Sequence, residues 1–432
     1  MTAPLPDGEP VVEPQVDGEV QEVGRLGQMF SALRYREFRL LWFGAFASTT
    51  GTWMQTVAQS WVVYTLTGSA LLLGVDGFLA TGPMLFFSLF GGVIADRMER
   101  RKIMLVSQVL QMTFAFVLAA LLWTHTVRIW HIFLLSFLTG SAQSISGPAY
   151  ISLLPLLVRR EDVPNAIAMN SVQFNLARVI GPTIGGVALV VWGAAACFAV
   201  NGLSFIAVII AILLIKSPVV RGRGEKKGII AEMRQGLSFV ASRRALVLLT
   251  FLAFAGTFLG MPLTTFLPVV ATKIFSAGPR AYTNLLVAYG VGSVVGALFV
   301  AASGNLKRKG HVALMLQLGF ATLIVSFALS RNFPLSLVIA FFAGACVVGV
   351  VSLYSSLVQL TTSDSMRGRV MSIFMMAFRG GMPLGNLLAG FMAERYSITI
   401  ALAINGSILF VVALVFLLRG TNLDEELTPH PA

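Results

Sequence analysis

The chain has 432 residues, of which 56% are hydrophobic and only 12% charged, with a mean hydropathy of +0.82. Soluble domains carry about 25% charged residues, so these figures exclude a soluble globular protein and describe one that crosses a membrane many times. The net charge of +12 does not indicate nucleic acid, because the basic residues stand in short loops between apolar runs, as orientation signals do. Cys197 and Cys346 both lie inside apolar runs and imply neither a disulfide nor a metal site.

Residues 1–30 are rich in Pro, Gly, Asp and Glu, have no apolar core, and read as a disordered tail rather than a signal peptide. Apolar runs of about 20 residues follow at 38–64, 71–95, 103–123, 130–154, 166–191, 195–215, 246–272, 283–303, 311–330, 334–358, 368–393 and 398–418. They predict an all-α polytopic membrane protein with twelve transmembrane helices in two pseudo-symmetric six-helix bundles, 31–215 and 246–420. The stretch 216–245 is the linker and 421–432 a second tail.

Lysine and arginine sort the loops into two sets. On one side stand Arg97, Arg100, Arg101, Lys102, Arg159, Arg160, Lys307, Arg308 and Lys309, with eight more in Lys216–Ala245. The other side holds Arg128, Lys273, Arg280, Arg331 and Arg395, so both termini are expected in the cytoplasm. In the linker, Ile229, Ile230, Met233, Leu237 and Val240 recur at helical spacing, which suggests an amphipathic helix on the membrane surface. The plainer reading is a covalent tether with no further role.

The two halves resemble each other. The run from Arg36 to Thr49 aligns with Arg244 to Thr257, sharing Leu-Leu, Phe, Ala-Phe-Ala and Thr. With small loop deletions allowed, Tyr150 falls over Tyr354, and Arg178 and Pro182 over Arg379 and Pro383. A tandem six-plus-six repeat places substrate between the halves near mid-membrane.

Two motifs carry a family resemblance. Gly92-Val-Ile-Ala-Asp96-Arg97-Met-Glu-Arg100-Arg101 resembles the signature loop between the second and third helices of major facilitator transporters, with Glu99 where glycine is usual. An aspartate there can latch one half to the positive end of a helix in the other. The second-half copy has Gly304 in the aspartate's place, so one strong latch is expected. Gly181-Pro182-x-x-Gly185-Gly186, in the fifth span, is similar to the antiporter motif of exporters in that superfamily, with Ala177 where a further glycine is common.

The longer run from Pro148 to Arg178, together with Arg367-Gly-Arg369-Val-Met-Ser, resembles the enterobactin-exporter-like and macrolide-efflux-like branch, with Tyr150 where that branch often has arginine. The resemblance covers residues 30–420. It implies secondary active export of a small amphipathic solute, siderophore or drug-like, across the bacterial inner membrane by alternating access with proton antiport. It also implies a monomer whose partners are solute, protons and lipids, with no cofactor. A uniporter or importer on the same fold is the alternative, and so is a non-transporting sensor, although the cytoplasmic segments are too short for a signalling domain. No Walker-type loop, HExxH or Ser/His/Asp arrangement indicates an enzyme.

Arg178 and Arg379 are the basic residues placed mid-membrane, each roughly 18 Å from the cytoplasmic end of its helix. No acidic residue lies at that depth. Two readings stand: an anion-attracting cavity suited to a catecholate or carboxylate, or helix staples held by carbonyls or by amides such as Asn175 and Asn386. Proton coupling needs a titratable group in the membrane, and Asp76, one to two turns inside the outer end of the second span, is the candidate. The rival reading of Asp76 is a solvated residue at the outer mouth. Trp53, Gln55, Gln143, Tyr150 and Tyr354, with several Ser and Thr of the first, fourth, seventh and tenth spans, are expected to line the path. Met54, Trp61, Met261 and Phe266 suit an apolar solute or ordinary packing equally.

Overall fold

The computed structural model describes residues 30–87, 99–215, 229–302 and 308–418, and among them every regular element is a helix. The first half contains α1 (Arg36–Thr67), α2 (Ala70–Thr81), α3 (Arg100–Trp123), α4 (Ile129–Leu153), α5 (Val163–Val191) and α6 (Gly193–Leu214). After the linker helix α7 (Ile229–Ala241) come α8 (Arg244–Gly260), α9 (Pro262–Thr265) and α10 (Leu267–Lys273). The chain then forms α11 (Pro279–Ala302), α12 (Lys309–Leu329), α13 (Phe333–Leu360), α14 (Asp364–Arg395) and α15 (Ile398–Leu418).

Proline and glycine punctuate these helices as their chemistry requires. Pro262 and Pro268 lack the amide hydrogen a continuous helix needs, so the seventh apolar run breaks into α8, α9 and α10. Gly68, at φ 64°, closes α1 by donating to the Tyr64 carbonyl, and the Ser69 hydroxyl caps α2 by accepting from the Leu72 amide.

Among the described residues, nine helices are long and apolar enough to cross a membrane. α1, α4 and α14 are of comparable length but fall outside that set, because they carry polar residues inward. α1 packs on α5 and α6, α3 on α4 and α6, and α2 on α4. In the second half α8 packs on α14 and α15, α11 on α13, and α12 on α13 and α15. The halves meet along two seams, α2 with α14 and α5 with α11.

Close approach of α5 to α1 depends on glycine. A Cβ at Gly181 would sit 2.5 Å from Trp53 Cβ, and one at Gly185 would sit 2.8 Å from Met54 Cα. The second half repeats the arrangement where Gly381 and Gly385 of α14 meet α8 at Thr257 and Phe258. Such small-residue seams let helices pack where lipid supplies no hydrophobic drive. Gly185→Val therefore forces backbone apart and is expected to cost about 1–3 kcal/mol, lowering the thermal midpoint of the solubilised protein by several degrees. Gly147→Ala in α4, with nothing within 4 Å of its Cβ position, is the control and should leave the midpoint unchanged.

α7 packs against the second half. Val240 is buried in the second half's core, Gly236 lies against Arg369 and Ile373 of α14, and Arg369 donates to Gln235 Oε1 at 3.0 Å. Met233 and Leu237 remain exposed, at 37% and 60%. The side chains of Ile229 and Ile230 lie outside the described residues.

Candidate functional site

The end of the molecule carrying Arg100, Arg101, Arg159, Arg160, Arg243 and Arg244 is here called the basic end, and the opposite one the far end. Along α5, residues 167, 171, 174, 178, 182, 185 and 189 share one face. Ile167 and Phe174 are 53% and 49% exposed and Ser171 is exposed, whereas Pro182, Gly185 and Leu189 are buried. The stripe marked by exposed Leu176, Ile184, Val187 and Val191 is a different face, and toward the basic end that face is buried at Ala166, Met169 and Gln173. On α14, Gly368, Ser372 and Arg379 are exposed while Asn386 and Gly390 on the same face are buried, and Leu384, Leu388 and Phe391 form the lipid stripe. A cleft thus enters from the basic end and stops near the middle of α5 and α14, with Arg178 and Arg379 where it stops.

Arg178 lies over the Trp53 ring, 5.9 Å from its centroid, and Phe174 meets the same ring edge-on at 6.3 Å. Arg379 places Nη1 3.4 Å from Met84 Sδ of α2. Neither guanidinium has an acidic partner among the described residues. Ion pairs there include Lys102–Glu99 and Arg159–Glu161, both at the surface. Asn175 and Asn386 do not satisfy the arginines as expected. Asn175 donates to the Ser171 carbonyl of its own helix at 2.8 Å, and both amide atoms of Asn386 are buried without a partner against Gly77 of α2.

Beyond the arginines the far end is closed by contacts between halves. The Glu394 carboxylate of α14 accepts from the Ala70 amide at 2.8 Å and the Leu71 amide at 3.4 Å, so it caps the first turn of α2 from the other half. Trp61 stacks on Tyr282 at 6.0 Å, and a Cβ on Gly186 would meet Thr283 at 2.5 Å. Sequence reasoning missed Glu394, since a carboxylate at a helix end carries no motif. Glu394→Gln keeps an acceptor but removes charge at a helix N-terminus, worth about 0.3–1 kcal/mol. With Cys197 and Cys346 replaced, a Thr283→Cys thiol should then react about 2–5-fold faster with an impermeant methanethiosulfonate than in the parent. Equal rates would show that Glu394 bears none of the closure.

Asp76 is buried rather than solvated at a mouth, being 4% exposed. Ser136 Oγ of α4 donates to Oδ1 at 2.6 Å, and Gln59 Nε2 of α1 donates to Oδ2 at 2.8 Å and lies 3.0 Å from Oδ1. A carboxyl held by three helices and facing no cation can exchange a proton without breaking an ion pair.

Other expected path residues face elsewhere. Gln55 accepts from Asn201 of α6 at 2.6 Å, within the first half. Tyr150 donates to Asn170 of α5 at 2.9 Å. Tyr354 is fully buried and donates to Gln317 of α12, beside a small gap of about 10 Å³ in the second half that is also lined by Thr257 and Phe374 and by neither arginine. Met54, Met261 and Phe266 are core and Trp61 stacks on Tyr282, which leaves Trp53 as the aromatic beside Arg178. Gln143 is exposed. Thr52 and Thr56 return their hydroxyls to carbonyls four residues back, so they need no partner helix.

Of the helix 2–3 motif, Gly92, Asp96 and Arg97 lie outside the described residues. Arg100 and Arg101 donate to the Ser152 and Leu213 carbonyls of their own half. In the antiporter motif, Gly181 and Gly185 face α1 of the same half, and Gly186 alone of these glycines meets the opposite half, through Thr283.

The profile of the transmembrane secretion effector family matches residues 27–429. The chain belongs to that family of major facilitator transporters. Transmembrane secretion effectors are thus its kin, and the family is one of transporters rather than enzymes. Among curated proteins, the chain is 27% identical over 404 residues to the multidrug efflux pump Tap of Mycolicibacterium fortuitum, covering 89% of this chain and 96% of that protein. It is 25% identical to the staphyloferrin A transporter of Staphylococcus aureus, covering 87% and 94%. It is 22% identical to macrolide efflux protein A of Streptococcus pyogenes, covering 88% and 95%. Among solved structures, a bacterial homologue of the human lysosomal transporter Spinster superposes with a TM-score of 0.71 at 14% identity, over 92% and 99% of the chains. The nucleoside transporter NupG gives 0.68 at 15% identity, over 89% and 99%. Both show the major facilitator fold.

Proposed function

We propose that the protein exports a small amphipathic solute across the bacterial inner membrane in exchange for protons, by alternating access. The observation that carries this reading is the graded exposure along α5 and α14, which describes a cleft open at the basic end, blind at the far end, and ended by two unpaired arginines. The loop charges support a cytoplasmic basic end and cytoplasmic termini. The cleft then faces the cytoplasm, where an exported solute would enter. Efflux and siderophore transport, named among the relatives, support the direction.

The proton side of the exchange falls to Asp76. Because α2 carries both this carboxyl and the seam on which α14 closes, a change of charge at Asp76 acts on the helix that must move. An untargeted metabolite comparison of medium from deletion, wild-type and Asp76→Asn cells tests the reading. At least one amphipathic metabolite should be depleted in the first and third media; identical media would overturn export.

A further inference from the structure

The Tyr289 hydroxyl of α11 is buried, its residue 4% exposed, and makes no hydrogen bond within the protein. It lies within electrostatic reach of Arg178, and its neighbour Gly290 packs against Val179, so the guanidinium and the phenol come from opposite halves to one place. A second buried hydroxyl without a partner, Thr50 of α1, stands one turn before Trp53, whose ring Arg178 covers. Buried polar groups ordinarily find partners, and here a cation and a phenol from opposite halves come together with no acceptor. Every one of these groups can donate a hydrogen bond, and the guanidinium can do nothing else. Asp76, the buried carboxyl among the described residues, is engaged by Gln59 and Ser136.

We infer that Arg178 and Tyr289 form an oxyanion subsite at the blind end of the cleft, which takes a carboxylate-sized anionic group. This deepens the export reading and rests on it, because it assigns the exported solute an anionic head and leaves its apolar part to Trp53 and Phe174. Since Tyr289 belongs to the second half and Arg178 to the first, an anion held by both ties the halves together, and occupancy biases which end is closed. Sequence reading paired Arg178 with Arg379 and did not single out Tyr289, which stands in an apolar run with no motif around it.

The test is equilibrium binding to the full-length protein in phosphatidylcholine nanodiscs with three matched probes: naphthalene-2-carboxylate, its carboxamide, and 2-naphthylmethylammonium. The carboxylate should bind at least about ten-fold tighter than the carboxamide, with the ammonium weakest. Tyr289→Phe and Arg178→Gln should each reduce that preference about ten-fold, with a thermal midpoint near the parent's, read on the same preparations, showing that both variants are folded. Repeating the titration in phosphatidylglycerol separates two sources of the same chemistry. Loss of the preference there identifies a lipid phosphate as occupant, and its persistence identifies the solute's own anion. Equal affinities for carboxylate and carboxamide, tighter binding of the ammonium, or a preference untouched by both variants would overturn the subsite. None of those results bears on whether cells secrete a metabolite, so the export reading stands or fails separately.

Discussion

Arg178→Ala is expected to abolish export while the protein still folds and inserts. The side chain touches no acidic group, and its described contact is the Trp53 face, so its removal leaves no buried charge unpaired. What is lost is the cation at the blind end of the cleft. Truncating a desolvated charged contact to a ligand costs about 2–5 kcal/mol, so the rate of export should fall by at least roughly 30-fold. Arg178→Lys keeps the charge and the approach to Trp53 but not the planar fork, and should recover part of the rate. A role confined to stapling helices would instead lower the thermal midpoint of Arg178→Ala and leave the export rate per folded molecule near wild type. Measuring both quantities on the same preparation separates the cases.

Asp76→Asn should uncouple export from the pH gradient. Asparagine retains a carbonyl that accepts from Gln59 or Ser136, so α1, α2 and α4 stay joined, but the position can no longer gain or lose a proton. In proteoliposomes with an imposed pH gradient, uphill movement should drop to the level seen without a gradient, while exchange of solute between equal pools continues. An unaltered response to the gradient would assign coupling to another group.

The fold was largely legible in the sequence because hydropathy and loop charge are properties of whole segments. Among the described residues nine helices are long and apolar enough to cross a membrane, and α1, α4 and α14 are set apart from them by their more polar composition. The glycine seam of α5 was legible too, since Gly181 and Gly185 fall on one face by spacing alone. Its partner was not: spacing gives a face and does not say which helix covers it, and the seam faces α1 rather than the other half. The side-chain site was harder to read for the same reason. Tyr354 and Gln55 looked like path residues as polar groups on path helices, yet a helix has several buried faces, and theirs turn to α12 and α6. Asp76 needed its neighbours: from the chain alone a mouth and a buried hub look alike, and Gln59 and Ser136 decide between them. Glu394 and Tyr289 matter only because the other half comes against them, a relation no local pattern records.

All of this depends on the two halves trading which end is shut. Spin labels in nanodiscs test that most directly, with one pair at exposed far-end positions 65 and 280 and another at exposed basic-end positions 36 and 244. The account predicts that acidification moves the two distance distributions in opposite senses, one end opening as the other closes, and that Asp76→Asn holds at neutral pH the distribution the parent reaches in acid. Distances that stay fixed at both ends, or that lengthen and shorten together, would contradict it.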